Sequence, residues 1–238
     1  MAQTLMQPDD AGAISHDGLV DYRILGRADT AAGEVVVRRR DAAVELIVNG
    51  VFAMDTTEVS SELALADAAG LPPGRVLVGG LGLGFTAVRL LENGATTVDI
   101  VERAAPLLEW ARAGLTPQLA QVAGDPRVRL HHADIRGFVA TTRQAWDAVV
   151  LDVDNGPSFL IHEDNAAVYG QDFLGTCLGR LAPGGRLLVW CETASPSLEV
   201  ALGRVAGTVE AIHVPVTRDG RSFAYTLYRA VAGSTVAP

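Results

Sequence analysis

The chain has 238 residues, 49% of them hydrophobic, and all 19 of its cationic side chains are arginine. Without lysine, chemistry that needs a lysine amine is excluded: Schiff bases, pyridoxal-phosphate attachment and the phosphate-gripping lysine of a P-loop. A formal charge of −9 argues against nucleic acid or an anionic membrane as partner, since both are polyanions.

Cys177 and Cys191 are too few for a disulfide scaffold and form no metal-ligand quartet with the scattered histidines, so no metal site is expected. The N-terminal stretch lacks a basic run followed by an apolar core, and the apolar runs are only strand-length. A cytoplasmic protein without signal peptide or membrane span is the expectation.

Residues 1–33 read as a loose leader. β-rich runs follow at Glu34–Val37, Val44–Val48 and Val51–Met54, the last two separated by Asn49-Gly50, the preferred type I′ hairpin turn. Thr56 or Thr57 is placed to cap a helix reaching Ala69, stopped by Gly70 and Pro72-Pro73-Gly74. This predicts a hairpin-and-helix unit over 34–70 ahead of a larger domain over 71–232.

In the larger domain strands alternate with helices. Strands are expected at Arg75–Gly79, Thr97–Glu102, Val128–His132, Asp147–Asp152 and Arg186–Cys191. Helices are expected at Gly84–Asn93, Ala104–Ala113, after Asp134, near Val168–Leu181 and at Ser195–Val205. Two last β-runs, Val209–Val216 and Ser222–Arg229, have only Asp219-Gly220 between them, so one is antiparallel. Apolar strands alternating with helices predict an α/β fold: a doubly wound, mostly parallel Rossmann-like sheet of seven strands, helices on both faces, with the small β-hairpin element in front.

Gly80-Leu81-Gly82-Leu83-Gly84 lies between the first of these strands and its helix, where glycines let a ligand approach the backbone at a helix N-terminus. Glu102, Asp134 and Asp152 stand at the ends of the next three strands, converging on the carboxyl edge of the sheet where open α/β folds bind ligands. The order of glycine loop, ribose-binding acid and carboxylate by the base edge suits an adenosine ligand.

The stretch from Val44 to Arg229 resembles the spermidine-synthase-like branch of the class I S-adenosylmethionine-dependent transferases (the class I methyltransferase fold). The carrying segments are ELIVNGVFAMD, RVLVGGLGLGFT, VDIVER, HHADIRGF and VVLDVDNGP, with Tyr169 and Phe173 downstream. The resemblance implies that Gly80, Gly82 and Gly84 cradle the cofactor's tail. It assigns the ribose to Glu102 with Arg103, the adenine to Asp134 with Ile135, and a place beside the nucleophile to Asp152, with a gating loop after it.

The chain departs from that pattern in its substrate half. Aminopropyl-transferring members carry an aspartate where Gly82 stands, paired with the ammonium of the decarboxylated cofactor's arm. Their polyamine-holding tyrosine aligns with Ser61, and their aspartate pair survives as Asp152 and Asp154, with one residue fewer between. Losing a partner for a buried ammonium is costly, so the reading favours in-line methyl transfer from S-adenosylmethionine to a small-molecule acceptor, with Asp152 as base and Asp154 its helper. Asp154 equally reads as an Asx-type loop residue beside Asn155-Gly156-Pro157.

The alternative is a polyamine aminopropyltransferase (spermidine synthase) using decarboxylated S-adenosylmethionine, with Glu58 taking over the ammonium. A second alternative is a non-catalytic nucleoside-binding scaffold. Substrate contacts are expected from Ser61, Glu58, His162, Tyr169 and one of Tyr225 and Tyr228. Arg38–Arg40 read as a charged hairpin edge, and as the first grip to test for an anionic acceptor. His131 and His132 straddle a strand, so one packs inward. The region around Ser61 and the N-terminal hairpin also offers a homodimer contact.

Overall fold

The computed structural model describes residues 22–218 and 220–232. Most of the leader expected over 1–33 lies outside them, as does Asp219 of the Asp219-Gly220 turn. Within them Tyr22–Thr30 is not loose: it is β1, paired antiparallel with β2 (Gly33–Arg40). β3 (Ala43–Val48) and β4 (Val51–Asp55) complete a four-stranded antiparallel sheet, with β1 added to the three expected β-runs. Asn49 and Gly50 have φ of +52° and +74°, the signature of a type I′ turn.

The first helix, α1, runs Ser60–Ala68, not from Thr56 or Thr57. Asp55 Oδ1 accepts the N–H groups of Thr57 and Glu58 at 2.9 and 3.2 Å and the Thr57 hydroxyl at 2.7 Å. That turn holds both residues outside the helix and uses up the expected cap.

The main sheet has seven strands in the order β10-β11-β9-β8-β5-β6-β7. The parallel core is β5 (Arg75–Gly79), β6 (Thr97–Glu102), β7 (Val128–His132), β8 (Trp146–Leu151) and β9 (Leu181–Cys191). β10 (Thr208–Arg218) and β11 (Arg221–Val231) form the antiparallel end. β9 starts earlier than Arg186: Leu181 already pairs with Trp146, and Pro183-Gly184-Gly185 lies in the irregularity before Arg186 meets Ala148.

The connecting helices are α2 (Phe85–Glu92), α3 (Ala105–Arg112), α4 (Pro117–Gly124), α5 (Ile135–Thr141), α6 (Gln171–Leu178) and α7 (Pro196–Val205). α4 has no counterpart among the expected elements. The helix expected near Val168–Leu181 divides into a 3-10 turn at Glu163–Tyr169 and α6. No helix among the described residues is long and apolar enough to cross a membrane.

Successive side chains of the central strands enter different cores, as a strand covered on both faces requires. Val76, Val78, Ala148 and Val150 pack with α1, α2 and the N-terminal sheet, whereas Leu77, Val149 and Leu151 pack with α5, α6 and α7. Buried Asp99 of β6 ties three strands, accepting Trp146 Nε1 and meeting His131 Nε2, both at 3.0 Å. Strand order reverses between β5 and β8, so the crevice opens where those strands end, at Gly79–Gly80 and Asp152.

Candidate active site

The cradle at that crevice is built by close approach of two strand ends. Gly80 N–H donates to Val101 O at 2.9 Å, and Asp152 N–H donates to Gly79 O at 2.8 Å. Gly80 has φ of +94°, and a Cβ there would collide with the Asp152 carbonyl oxygen. At Gly82, φ is +52° and a Cβ would lie 2.8 Å from Met54 Sδ. The same sulfur lies 3.3 Å from the Leu83 N–H, so a thioether from β4 occupies the space beside the middle glycine. Gly84 caps α2 and packs toward Val122 instead of lining the cleft.

A cleft of about 890 Å³, its open mouth included, runs from this loop over β5, β6 and β7. Gly80, Gly82, Glu102, Arg103, Asp134 and Ile135 line it, as does His162. Val35, Leu46, Val48 and Ala53 of the N-terminal sheet close its far wall. Glu102 is buried with each oxygen on a backbone donor, Oε2 to Leu81 N at 2.9 Å and Oε1 to Ala104 N at 2.7 Å. Burial raises its pKa, against the pull of those N–H bonds.

Asp134 caps α5, with Oδ1 accepting Arg136 N–H at 2.9 Å and Gly137 N–H at 3.2 Å. Burial pushes its carboxyl upward, but the Gly137 N–H and the Arg136 guanidinium outweigh it and hold the group below its ordinary value. A glycine cradle, an acid fixed at the β6 end and a second at the β7 end fit an adenine nucleoside in chemistry and order.

Asp152 does not line this cleft. It stands behind the loop, where its Oδ2 accepts the Thr86 hydroxyl at 2.9 Å, and burial lifts its pKa to about 6. Next to it lies Glu62 of α1, raised to about 7 by burial and then by the Asp152 charge. Burial pushes the Tyr225 hydroxyl upward; the Arg218 charge opposes this, and Glu62, Glu192 and Glu58 add to the rise. Among the described residues Glu58, Glu62, Asp152 and Glu192 form no ion pair. The guanidinium of Arg218 is engaged by Asp55 and lies over the Phe52 ring.

Several expected site residues have other partners. Asp154 is a loop staple: Oδ1 accepts Asn155 N–H and Ile161 N–H, each at 2.8 Å, and Oδ2 accepts Asn165 Nδ2 at 2.8 Å. With both oxygens committed it follows the Asx-type reading and not that of a helper base. Ser61 is buried and donates to Glu62 Oε2 at 2.6 Å, so it supports Glu62 and presents no free surface to a substrate. Glu58 Oε1 accepts the Ser60 N–H at 2.9 Å at the start of α1.

Arg38 and Arg40 both converge on buried Glu45, at 2.7 and 2.6 Å, so neither is free to grip an anion, and β2 lies between β1 and β3, so the arginines are not on the expected hairpin edge. His131 is taken by Asp99 and His132 by the Arg103 carbonyl at 3.1 Å. Tyr225 and Tyr228 do face opposite sides of β11. Tyr228 is core, its Oη meeting the backbone of Ser195, whereas Tyr225 is half-buried and stacks on Trp190 with ring centres 5.1 Å apart. Tyr169 is buried with no hydrogen-bond partner for its hydroxyl, which lies among Asp154, Cys191 and Asp152.

His162, held below its ordinary pKa by burial and the Arg103 charge, lies 3.4 Å from Asn49 Nδ2. The segment after Asp154 therefore reaches the hairpin tip across the cleft. Glu62, Thr86, Glu192, Met54 and Trp190 were absent from the sequence reading. Glu62 carried one usable signal: in the helix expected from Thr57 it falls one turn beyond Glu58, on the same face, although in the structure Glu58 precedes α1.

Fold and cleft together define a spermidine-synthase-like, class I α/β architecture. Spermidine synthase from Thermotoga maritima superposes with a TM-score of 0.73 at 17% identity, over 89% of this chain and 73% of that one. A spermidine synthase in complex with the transition-state analogue AdoDATO gives 0.74 at 18%, over 89% and 74%. No family model matches the chain.

Among curated proteins, the polyamine aminopropyltransferase of Nitrosomonas europaea is 32% identical over 118 residues, which is 48% of this chain and 34% of that protein. That of Corynebacterium efficiens is 28% identical over 205 residues, 78% and 38%. A protein-L-isoaspartate O-methyltransferase of Azoarcus sp. is 34% identical over 134 residues, 55% and 50%. The chain thus spans little more than a third of the length of the two aminopropyltransferases it matches. These likenesses overturn methyl transfer to a small-molecule acceptor as the favoured reading and support the aminopropyltransferase alternative. Gly82 marks one lost loop carboxylate, whereas Glu62 of α1 bears on Asp152, and Glu62 and Glu192, just beyond β9, bear on Tyr225.

Proposed function

We propose that the chain is an aminopropyltransferase, taking the aminopropyl group of decarboxylated S-adenosylmethionine to an amine acceptor of the polyamine class. The observation that carries this reading is the set of carboxylates beyond the nucleoside cleft, Glu58, Glu62, Asp152 and Glu192, none ion-paired among the described residues. Glu62 is buried and the other three are partly buried; carboxylates withdrawn from water without a cation are unfavourable, and a di- or polyammonium ligand supplies the missing charge. An acceptor with a negative charge would raise that cost.

In this reading Gly80 and Gly82 admit the nucleoside's tail, Glu102 holds the ribose hydroxyls, and Asp134 meets the adenine edge. The bound sulfonium supplies the leaving group, its C–S pair returning to sulfur as the acceptor nitrogen bonds to the same carbon. Asp152 takes the proton that the nitrogen gives up. Its burial brings it nearer the amine in basicity, which favours transfer at neutral pH. Trp190 and Tyr225 offer apolar faces to the acceptor's methylene chain.

Incubation with decarboxylated S-adenosylmethionine and 1,4-diaminobutane, followed by mass spectrometry, tests the proposal. Methylthioadenosine and the triamine should appear in equal amounts. If no amine acceptor yields methylthioadenosine from a chain that binds the nucleoside, the reading is wrong.

A further inference from the structure

We propose that Glu62, and not the glycine loop, holds the ammonium of the transferred arm and selects the decarboxylated cofactor over its carboxylated parent. This rests on the aminopropyl-transfer reading and names its specificity residue.

The loop itself offers no carboxylate. Gly82 has no side chain, and the space beside it is taken by the Met54 thioether, which also faces the Leu83 N–H. The nearest unspent acid comes from α1. Glu62 is only 8% exposed, and the hydrogen bond described for its carboxylate comes from the adjacent Ser61 hydroxyl. Its charge bears on Asp152, at the end of β8, and on Tyr225 of β11. Asp152 in turn packs its carbonyl on Gly80 and bonds Thr86 in the first turn of α2. Glu62 therefore lies on the Asp152 side of the glycine loop, near the point where loop, β8 and α2 meet.

A second observation points to a ligand donor beside Asp152. The Tyr169 hydroxyl, on a side chain 6% exposed, has no hydrogen-bond partner and lies beside Asp152. Gly156 is the backbone neighbour whose N–H comes toward it, without closing a hydrogen bond. An unpartnered buried hydroxyl is costly, and an ammonium has three N–H groups to donate. Glu62 accepts one of them, leaving Asp152 for the acceptor's proton. A carboxylated tail would instead add a third negative charge between Glu62 and Asp152, which both geometry and charge oppose.

Calorimetric titration of wild type and Glu62→Gln with three probes tests this: methylthioadenosine, decarboxylated S-adenosylmethionine and S-adenosylmethionine. The variant should bind methylthioadenosine within twofold of wild type, which also reports that it folds. It should bind the decarboxylated cofactor at least tenfold more weakly and discriminate the two cofactors by less than threefold. Unchanged affinity for the decarboxylated cofactor, with a raised acceptor KM, would move Glu62 to the acceptor subsite and overturn the proposal. If Glu62→Gln does not fold, Glu62→Asp is read instead. It keeps the charge one methylene short, and undiminished affinity for the decarboxylated cofactor refutes the assignment. A wild-type chain that binds methylthioadenosine but not the decarboxylated cofactor removes the aminopropyl reading itself, and the proposal with it. The two failures are therefore distinguishable.

Discussion

Glu62 should make the empty protein less stable as pH rises, and removing its charge should reverse that. Burial first, then the charge of Asp152, lift its carboxyl from 4.5 to about 7, with the Ser61 hydroxyl pulling the other way and Glu58 adding to the rise. Below the unfolded value the group is neutral in both states and costs nothing. Between 4.5 and about 7 the unfolded chain ionises first, so stability falls; above about 7 the full cost is present. A difference of that size corresponds to about 3 kcal/mol. Asp152, raised to about 6, titrates with the same sign in both proteins and largely cancels in a comparison. Glu62→Gln keeps the Ser61 hydrogen bond and offers N–H donors toward Asp152. It should therefore match wild type at pH 4 and exceed it by about 3 kcal/mol at pH 8, measured by urea unfolding with tryptophan fluorescence. An equal difference at both pH values, or a less stable variant at pH 8, would refute the desolvated-carboxylate argument.

Asp152→Asn should lower kcat by about 10²–10⁴-fold while leaving methylthioadenosine affinity intact, and the wild-type rate should fall as pH drops through about 6, where the base acquires its proton. A rate that is flat between pH 7 and 5 excludes Asp152 as the base. Gly80→Ala forces a left-handed backbone and a collision with the Asp152 carbonyl, and should destabilise by at least about 2 kcal/mol; an unchanged Tm would mean the two strand ends are not in contact. Asp154→Ala strips the acceptor from three close donors, each worth about 1 kcal/mol, so limited proteolysis within 155–165 should speed up while the sheet stays protected. Equal cleavage rates would show that Asp154 does not organise the segment.

What the sequence made legible follows the range of the interactions involved. Strand–helix alternation, the glycine loop after β5 and the acids ending β6 and β7 are local patterns, and each falls in the structure where its spacing places it. The Asn49-Gly50 turn is local too. β1 was missed because Tyr22–Thr30, with Gly26 in its middle, lacks the apolar alternation of a strand. It is held by pairing with β2, and Gly26 sits where a Cβ would touch the Trp110 ring of α3. α4 was missed for a related reason: Pro117 after Thr116 was an available start signal, but Leu119 and Val122 give few apolar positions to mark a periodic face. Asp154 shows the limit of motif reading, since the residue type fits both roles and only its three partners, as distant as Asn165, decide between them.

Gly82 illustrates how a correct local observation led to the wrong reaction. The missing loop carboxylate is real, and its energetic consequence for a buried ammonium is sound. A binding site, however, balances charge in space and not at an aligned position. Met54 arrives from β4, Glu62 from α1, Asp152 from β8 and Glu192 from just beyond β9, and no spacing rule links them. The absence of lysine bears on the same point: the cationic partner for these acids must be an arginine, a protonated histidine or a ligand. The arginine near them, Arg218, is engaged by Asp55. What remains to neutralise the cluster is the ligand's own charge, which is why four acids without an ion-pair partner among the described residues favour an amine more strongly than one absent aspartate argues against it.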